Sequence, residues 1–351
     1  MSRFRPFRFR QTPRPSPSIL AFAVTRAYQQ TAMLETQPIP LYEIPGNPVP
    51  ENAVAGFLTA RDGVRLRYAR FAATGRPLKG TVIVLPGRNE TIEKYFETIQ
   101  DLARRGLGVA MIDWRGQGGS GRLLKDLQRG HIDSFQDYVR DLEQFFEEVV
   151  LPDCRGPYYI LGHSTGGLIA LLSSLSMVNR VRRMVLSAPL LALLGFPASM
   201  QGIRRVATAL YAVGLGTMYL AGGPRRGPAP FATNILTTDH ARFARNQLLY
   251  ETHPNLALGG PTVAWVRAAC LASEAVQDEE FIARLQVPML FVAAGADRVV
   301  STPTIERYVR RIKSASLLTI DGARHEMLQE ADIYREQFLA AFDAFVPGTE
   351  E

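Results

Sequence analysis

A serine between two glycines is the first group in this sequence that could carry chemistry. Residues 162–166 read Gly-His-Ser-Thr-Gly, the pattern G-x-S-x-G, with Ser164 at its centre. The apolar run 158–160 before it has strand character, and the apolar run 168–172 after it has helical character. A serine on a sharp turn between strand and helix has its hydroxyl lifted off the sheet. The pattern predicts a nucleophile elbow at Ser164, with small flanking residues, Gly162 and Gly166, that let strand and helix approach closely.

A serine hydroxyl is a weak nucleophile at neutral pH, so it needs a base and a carboxylate that orients the base. His325 follows the last predicted strand, and Asp297 follows the strand before it. Asp113 precedes the serine in the chain, and Asp321 lies on the same loop as the histidine, so both are weaker candidates for the acid. We therefore predict a triad of Ser164, Asp297 and His325, and not one built on another histidine: His131, His163, His240 or His253.

The oxyanion that forms when a serine attacks a carbonyl needs two backbone amide donors. Thr165 supplies one candidate amide, because it begins the helix after the predicted nucleophile and helix N-termini stabilise anions. The loop after the predicted strand 81–85 supplies the other, and Gly87 lets that loop approach the serine closely. We assign the second donor to the amide of Arg88.

The charge of the chain is concentrated near its start. The 351 residues carry a net charge of +7, and five arginines within the first 14 residues account for most of it, since 7 − 5 = +2 remains for the rest. No basic stripe interleaved with aromatic residues occurs elsewhere, which argues against a nucleic-acid partner. Two cysteines, Cys154 and Cys270, form neither a disulfide framework nor a metal-binding pattern.

Residues 1–50 differ in composition from the rest and are rich in proline and, at first, arginine. They are interpreted as a flexible tail, although a transit peptide, a short signal core at 19–24 and a translation start at Met33 are alternatives. No apolar run reaches the length of a membrane span. We expect a cytoplasmic protein, and the basic leader and an apolar cap permit peripheral contact with a membrane surface.

Strands that alternate with helices predict a mostly parallel α/β sheet. A hairpin is expected over 56–71 around Asp62-Gly63, and Asp133 or Ser134 is expected to cap the helix 135–150. Further strands are predicted at 81–85, 108–112, 158–160, 181–186, 287–294 and 316–320, and further helices at 92–105 and 334–345.

The alternation stops near residue 190, where an apolar, helical stretch begins. The sequence therefore predicts a core formed by 51–189 and 276–351, with a helical cap at 190–275 that includes helices over 240–250 and 262–275. Apolar residues of this cap are candidates for an acyl-chain pocket, or equally for the interior of the cap itself: 190–194, Tyr211, Met218 and Tyr219.

Residues from about 55 to 347 resemble the α/β-hydrolase superfamily, within its branch of monoacylglycerol lipases and bacterial lysophospholipases. The resemblance implies an eight-stranded, mostly parallel sheet with helices on both faces and a cap after strand six. It implies hydrolysis of a single-chain acyl ester, a small lipid substrate, through an acyl-enzyme on Ser164, with no metal and no organic cofactor. The motifs that carry it are 162–167, 113–118, 134–138, 259–262, 295–297 and 325–326.

Arg88 departs from many of these relatives, which have a small residue at this position and His-Gly in place of Pro86-Gly87. A guanidinium at the mouth of the pocket could pair with a phosphate and favour lysophospholipids. The alternative is that Arg88 folds back onto Glu90 or Glu93. Two other functions stay open at this point, a peptidase of the proline-iminopeptidase type and a binding protein of the same fold without catalysis.

Overall fold

Eight strands form one sheet in the order β1-β2-β4-β3-β5-β6-β7-β8. In this computed structural model, residues 41–194 and 199–346 are described, and most of the predicted tail, residues 1–40, lies outside them. The first three strands in space, β1, β2 and β4, pair antiparallel, and all later pairs are parallel. The strands are β1 Ala53–Thr59, β2 Arg65–Phe71, β3 Gly80–Leu85, β4 Leu107–Ile112, β5 Tyr158–His163, β6 Val181–Ser187, β7 Met289–Ala294 and β8 Ala315–Ile320.

The mostly parallel α/β sheet predicted from the sequence is confirmed. Every residue of β3 and of β7 is buried, which explains why these strands read as continuous apolar runs and not as alternating ones. The helices are α1 Phe96–Arg104, α2 Phe135–Phe145, α3 Thr165–Ser173, α4 Met200–Ala212, α5 His240–Thr252, α6 Val263–Gln277, α7 Glu279–Ala283, α8 Thr302–Val309 and α9 Asp332–Phe345.

The order of the strands reverses around β3. The chain goes from β3 to β4 on one side, and then returns to β5 on the other side of β3. The loops that leave β3 and β5 therefore diverge and open a crevice at the carboxyl ends of these strands, which is where ligands bind in open α/β sheets.

The start of helix α2 is fixed by the residue that caps it, Ser134. The side chain of Ser134 accepts a hydrogen bond from the amide of Gln136, so Ser134 and not Asp133 is the N-cap. After Phe145 the chain continues as a π-helical segment, Phe146–Val150, and one further α-helical turn, Leu151–Asp153.

The described elements between β6 and β7 are helical. They are α4 to α7 and two short 3₁₀ turns, Phe231–Thr233 and Pro254–Leu256. Helix α6 packs against both α4 and α3, so this segment is joined to the sheet domain through the helix that follows the elbow. Within 41–194 and 199–346, no helix has both the length and the apolar character needed to cross a membrane.

Candidate active site

Ser164 lies on a strained turn between β5 and α3. Its backbone has φ 51° and ψ −113°, a left-handed conformation that a residue with a side chain adopts only under constraint. The constraint is close packing: a Cβ on Gly166 would lie 2.1 Å from the carbonyl oxygen of Leu85, and one on Gly162 would lie 2.9 Å from that of Gly166. The two predicted glycines thus bring strand and helix together, with the largely buried Ser164 at the turn between them.

The structure brings together the three predicted side chains from three strand ends. Nε2 of His325 is 3.0 Å from Oγ of Ser164, and Nδ1 of His325 is 2.8 Å from Oδ2 of Asp297. Burial raises the pKa of Asp297, but the hydrogen bond and the charge of His325 lower it by a larger amount. The pKa of Asp297 therefore lies below its usual range. An ionised carboxylate only accepts, hence Nδ1 carries the proton and Nε2 is free to accept the proton of the serine hydroxyl.

The other acid candidates lie elsewhere. Asp113 is fully buried, and its carboxylate accepts from Arg67 and from the amides of Ile92 and Gly119, so it holds loops in place. Asp321 is exposed on the turn after β8.

The remaining histidines do not reach Ser164 through a hydrogen bond in the described residues. His163 is closest to the site: its ring centre lies 4.8 Å from that of His325, and its Nδ1 is 3.2 Å from the carbonyl oxygen of Ser187. Burial lowers the pKa of His163 to about 4, so this ring is neutral at pH 7. His131 is 3.0 Å from the hydroxyl of Thr262.

In the loop after β3, the backbone groups on either side of the amide of Arg88 are hydrogen-bonded, but this amide is not bonded to any described residue. The carbonyl of Pro86 accepts from the indole of Trp114, the amide of Gly87 donates to Glu90, and the carbonyl of Gly87 accepts from Gln117. In the part of the chain that the structure describes, neither the amide of Arg88 nor that of Thr165 donates to a protein acceptor. A buried amide without a partner is costly, so these two amides are suited to an external acceptor such as an oxyanion.

The side chain of Arg88 does not fold onto Glu90 or Glu93, so that alternative is wrong. Its guanidinium donates to the carbonyl of Gly259 and lies 5.5 Å from the ring centre of Trp265. Burial lowers its pKa to about 10, and the Nε atom is buried with no hydrogen-bond partner. A carboxylate partner for this cation is absent from the described ranges.

A buried cluster beside the site was not predicted from the sequence. Lys94 contacts two carboxylates, with its Nζ 2.8 Å from Oε1 of Glu90 and 2.7 Å from Oε1 of Glu326. All three residues are less than 10% exposed. Burial lowers the pKa of Lys94, but the charges of Glu326 and Glu90 outweigh it and raise this pKa above its usual range. The cluster thus joins the loop after β3 to the residue that follows His325.

The helical segment between β6 and β7 contacts both of these loops. The amide of Leu258 donates to the side chain of Asn89 at 2.7 Å, and the hydroxyl of Tyr250 donates to the carbonyl of Asn89 at 2.8 Å. On the other loop, the amide of Glu326 donates to the carbonyl of Leu236 at 2.9 Å.

The residues predicted to line an acyl pocket differ in how far they are buried. Leu190 and Leu191 are buried in the main core. Met218 is 51% exposed, and the ring of Tyr219 lies under Arg129 with its hydroxyl near Asp126. The acyl pocket predicted over 190–194, Tyr211, Met218 and Tyr219 stays a prediction.

Comparison with known proteins relates the chain to hydrolases. The model of the family described as "Serine aminopeptidase, S33" matches residues 76–332. Lysophospholipase L2 of Escherichia coli (strain K12) is 34% identical over 298 residues, which cover 82% of this chain and 85% of that protein. Monoglyceride lipase of Rattus norvegicus is 27% identical over 245 residues, which cover 69% of this chain and 73% of that protein.

A solved structure supports the same relation at the level of the fold. A soluble variant of monoglyceride lipase from Saccharomyces cerevisiae superposes with a TM-score of 0.67 at 19% identity, covering 88% of this chain and 98% of that one. The resemblance predicted from the motifs is confirmed. This chain therefore belongs to the family that the serine aminopeptidase S33 model describes, and it is a hydrolase with the α/β-hydrolase fold.

Proposed function

We propose that this protein is a serine carboxylic-ester hydrolase that acts on single-chain acyl esters through an acyl-enzyme intermediate on Ser164. The observation that carries the proposal is the hydrogen-bonded chain from Asp297 through His325 to Ser164, next to two amides without acceptors. A nucleophile, a base, an acid that orients the base and donors for an oxyanion are the groups that acyl transfer requires.

In the proposed reaction, Nε2 of His325 takes the proton of Ser164 as Oγ attacks the ester carbonyl. The amides of Arg88 and Thr165 donate to the oxyanion of the tetrahedral intermediate. His325 then protonates the departing alcohol, which leaves the acyl group on Ser164. A water molecule that His325 deprotonates attacks the acyl-enzyme, and the fatty acid departs as Ser164 regains its proton.

The substrate class follows from the named relatives and from Arg88. The relatives are called lysophospholipase and monoglyceride lipase, which indicates an ester with one acyl chain. We propose that the guanidinium of Arg88 selects a phosphate in the head group, because it is buried and has no carboxylate partner in the described ranges. In a 1-acyl lysophospholipid, as many bonds separate the ester carbonyl carbon from phosphorus as separate the amide nitrogen of Arg88 from its guanidinium carbon.

We also propose that the helical segment 190–275 acts as a cap between the core segments 51–189 and 276–351. The hydrogen bonds of Leu258 with Asn89 and of Leu236 with Glu326, on the two loops of the proposed site, support this role. Peripheral contact of this cap with a membrane surface stays a prediction.

An aminopeptidase is a weaker candidate on electrostatic grounds. A peptide substrate brings an ammonium group, which needs a carboxylate near the serine. On the loop after β3, the carboxylate of Glu90 is already paired with Lys94, and the guanidinium of Arg88 would repel an ammonium.

A fluorophosphonate probe and a panel of p-nitrophenyl esters of graded chain length, followed by lysophospholipid, test the proposal. We expect the wild type to be labelled and to hydrolyse the esters, and Ser164→Ala to do neither, with a loss in kcat of about 10⁶-fold. A folded wild type that neither labels nor hydrolyses would be a binding protein. Turnover of aminoacyl anilides in preference to esters would favour the peptidase.

A further inference from the structure

Gly87 is held by two buried side chains, one on each of its peptide groups. Oε2 of Glu90 accepts from the amide of Gly87, and Nε2 of Gln117 donates to the carbonyl of Gly87 at 2.9 Å. The same Gln117 amide group also donates to the carbonyl of Glu90 at 3.1 Å. Glu90 and Gln117 are each 3% exposed, so water does not compete for these contacts.

This arrangement fixes the direction of one amide. A trans peptide is planar, so its C=O and N–H point in opposite directions. Because Gln117 holds the carbonyl of Gly87, the amide of Arg88 in the same peptide points away from Gln117. The loop also leaves no room for a side chain at residue 87. A Cβ on Gly87 would lie 2.8 Å from Oε2 of Glu90 and 3.1 Å from Cδ2 of His163.

Glu90 is itself held by three donors. Oε2 also accepts from the hydroxyl of Tyr95 at 2.6 Å, while Oε1 accepts from Nζ of Lys94 at 2.8 Å. Lys94 is shared with Glu326, which directly follows His325. The loop with the proposed oxyanion donor and the loop with the proposed base are thereby tied to one buried ammonium group.

We propose that Glu90 and Gln117 are positioning residues that aim the amide of Arg88 at the oxyanion. The inference rests on the proposed function and extends it, because both residues act through the backbone of Gly87. Gln117 holds the carbonyl of the peptide that carries the amide of Arg88, and Glu90 holds the amide of the peptide before it. Oxyanion donors work only when they are oriented before the charge develops, so a loosened peptide costs turnover and leaves substrate binding almost unchanged.

Two substitutions remove these contacts with little change in volume. In Glu90→Gln, the amide group replaces one carboxylate oxygen, so it faces either Lys94 or the amide of Gly87, donor to donor. In Gln117→Met, the donor to the carbonyl of Gly87 is lost. Matched controls are Asp141→Asn, which breaks the buried pair with Arg115, and Gln144→Met, which removes a side-chain donor to the carbonyl of Thr59.

The readout is the ratio of kcat/KM for an ester to that for the matched thionoester, in which sulfur replaces the carbonyl oxygen. Sulfur is a weak acceptor and gains little from the amide donors, so a large ratio reports a well-aimed oxyanion site. We expect Glu90→Gln and Gln117→Met to lower this ratio by about tenfold to a hundredfold, mainly through kcat on the ester. The controls should lower stability and leave the ratio within about twofold of wild type.

An unchanged ratio in both positioning variants would overturn the inference. If Glu90→Gln does not fold, Tyr95→Phe removes one donor to the same carboxylate and should lower the ratio less, in the same direction. If the ratio is unchanged in both Tyr95→Phe and Gln117→Met, the inference is likewise overturned. A wild type that neither hydrolyses the ester nor reacts with a fluorophosphonate contradicts the proposed function instead, so the two failures are separate.

Discussion

Asp297 is fixed by the backbone before it meets His325. Its Oδ1 accepts from the amides of Val299 and Val300 at 2.7 and 3.0 Å, which leaves Oδ2 for Nδ1 of His325. The carboxylate can therefore hold the imidazole in one tautomer and one orientation.

Asp297→Asn should lower kcat by about 10⁴-fold, because an amide that donates to Nδ1 favours the tautomer in which Nε2 carries the proton. The measurement is steady-state hydrolysis of a p-nitrophenyl ester at pH 7 to 8. Asp321→Asn is the control, since this residue is the rival acid from the sequence and lies exposed on the following turn. A comparable loss in Asp321→Asn would refute the assignment.

Arg88→Ala should change selectivity more than reactivity, because the amide of residue 88 remains in the loop. We expect kcat/KM for a lysophosphatidyl ester to fall by about tenfold to a hundredfold relative to a monoacylglycerol, since a charge-assisted hydrogen bond is lost. Arg88→Lys keeps the charge without the planar fork, so its preference for the lysophosphatidyl ester should lie between that of the wild type and that of Arg88→Ala. Equal losses on both substrates would defeat the phosphate assignment.

At the level of elements, the elbow depends on close contact between β5, α3 and the end of β3. Gly166 lies in the first turn of α3, where alanine would favour the helix by propensity alone. Contact with Leu85 opposes this preference.

Gly166→Ala should destabilise the protein by about 3 kcal/mol, because its Cβ would lie 2.1 Å from a backbone oxygen that cannot move freely. Denaturant unfolding measures the effect. Gly156→Ala is the control, since its nearest contact, Tyr158, lies at an ordinary 3.4 Å. Wild-type stability in Gly166→Ala would show that the elbow tolerates a side chain there.

The elements that carry the site were predictable from the sequence because each leaves a local pattern. Buried parallel strands read as short apolar runs, and the glycines, Ser164, Asp297 and His325 follow the ends of such runs. The cluster of Glu90, Lys94 and Glu326 was not predictable in this way. Glu90 and Lys94 have the spacing of an exposed helical ion pair, and Glu326 lies 232 residues beyond Lys94, so only the folded sheet brings them together.

The position of Arg88 was open for a similar reason. Glu90 and Glu93 are near it in sequence, but Lys94 and Arg67 already occupy these carboxylates. The guanidinium turns to Gly259, 171 residues further along the chain. The motif 259–262 is visible in the sequence, but nothing in it indicates that the carbonyl of Gly259 accepts from this guanidinium.

At the scale of the whole molecule, one cluster of oppositely charged side chains joins three parts of the chain. Glu97 in α1 binds Arg242 at 2.6 Å and Arg245 at 2.8 Å, both in α5, and Arg242 also binds Asp332 at the start of α9. Burial raises the pKa of Glu97, but the hydrogen bond from Arg242 and the charge of Arg245 lower it to about 2.

A carboxyl group whose pKa is lowered by folding stabilises the protein above its unfolded pKa and loses this effect as the pH falls. We therefore expect the stability difference between wild type and Glu97→Gln to shrink as the pH falls from 4.5 towards 2. Denaturant unfolding at several pH values measures it. The exposed Glu279→Gln should show no such trend, and a difference for Glu97→Gln that is constant with pH would contradict the role of this charge.

The hydrogen bonds from Leu258 and Tyr250 to Asn89, and from Glu326 to Leu236, have a consequence for the entry of the proposed substrate. A molecule that reached Ser164 by displacing the segment between β6 and β7 would first break these bonds, which anchor the two loops that carry the proposed base and the free amide of Arg88. Entry by this route would therefore loosen both loops, and the return of the segment to its place would restore the contacts that hold them.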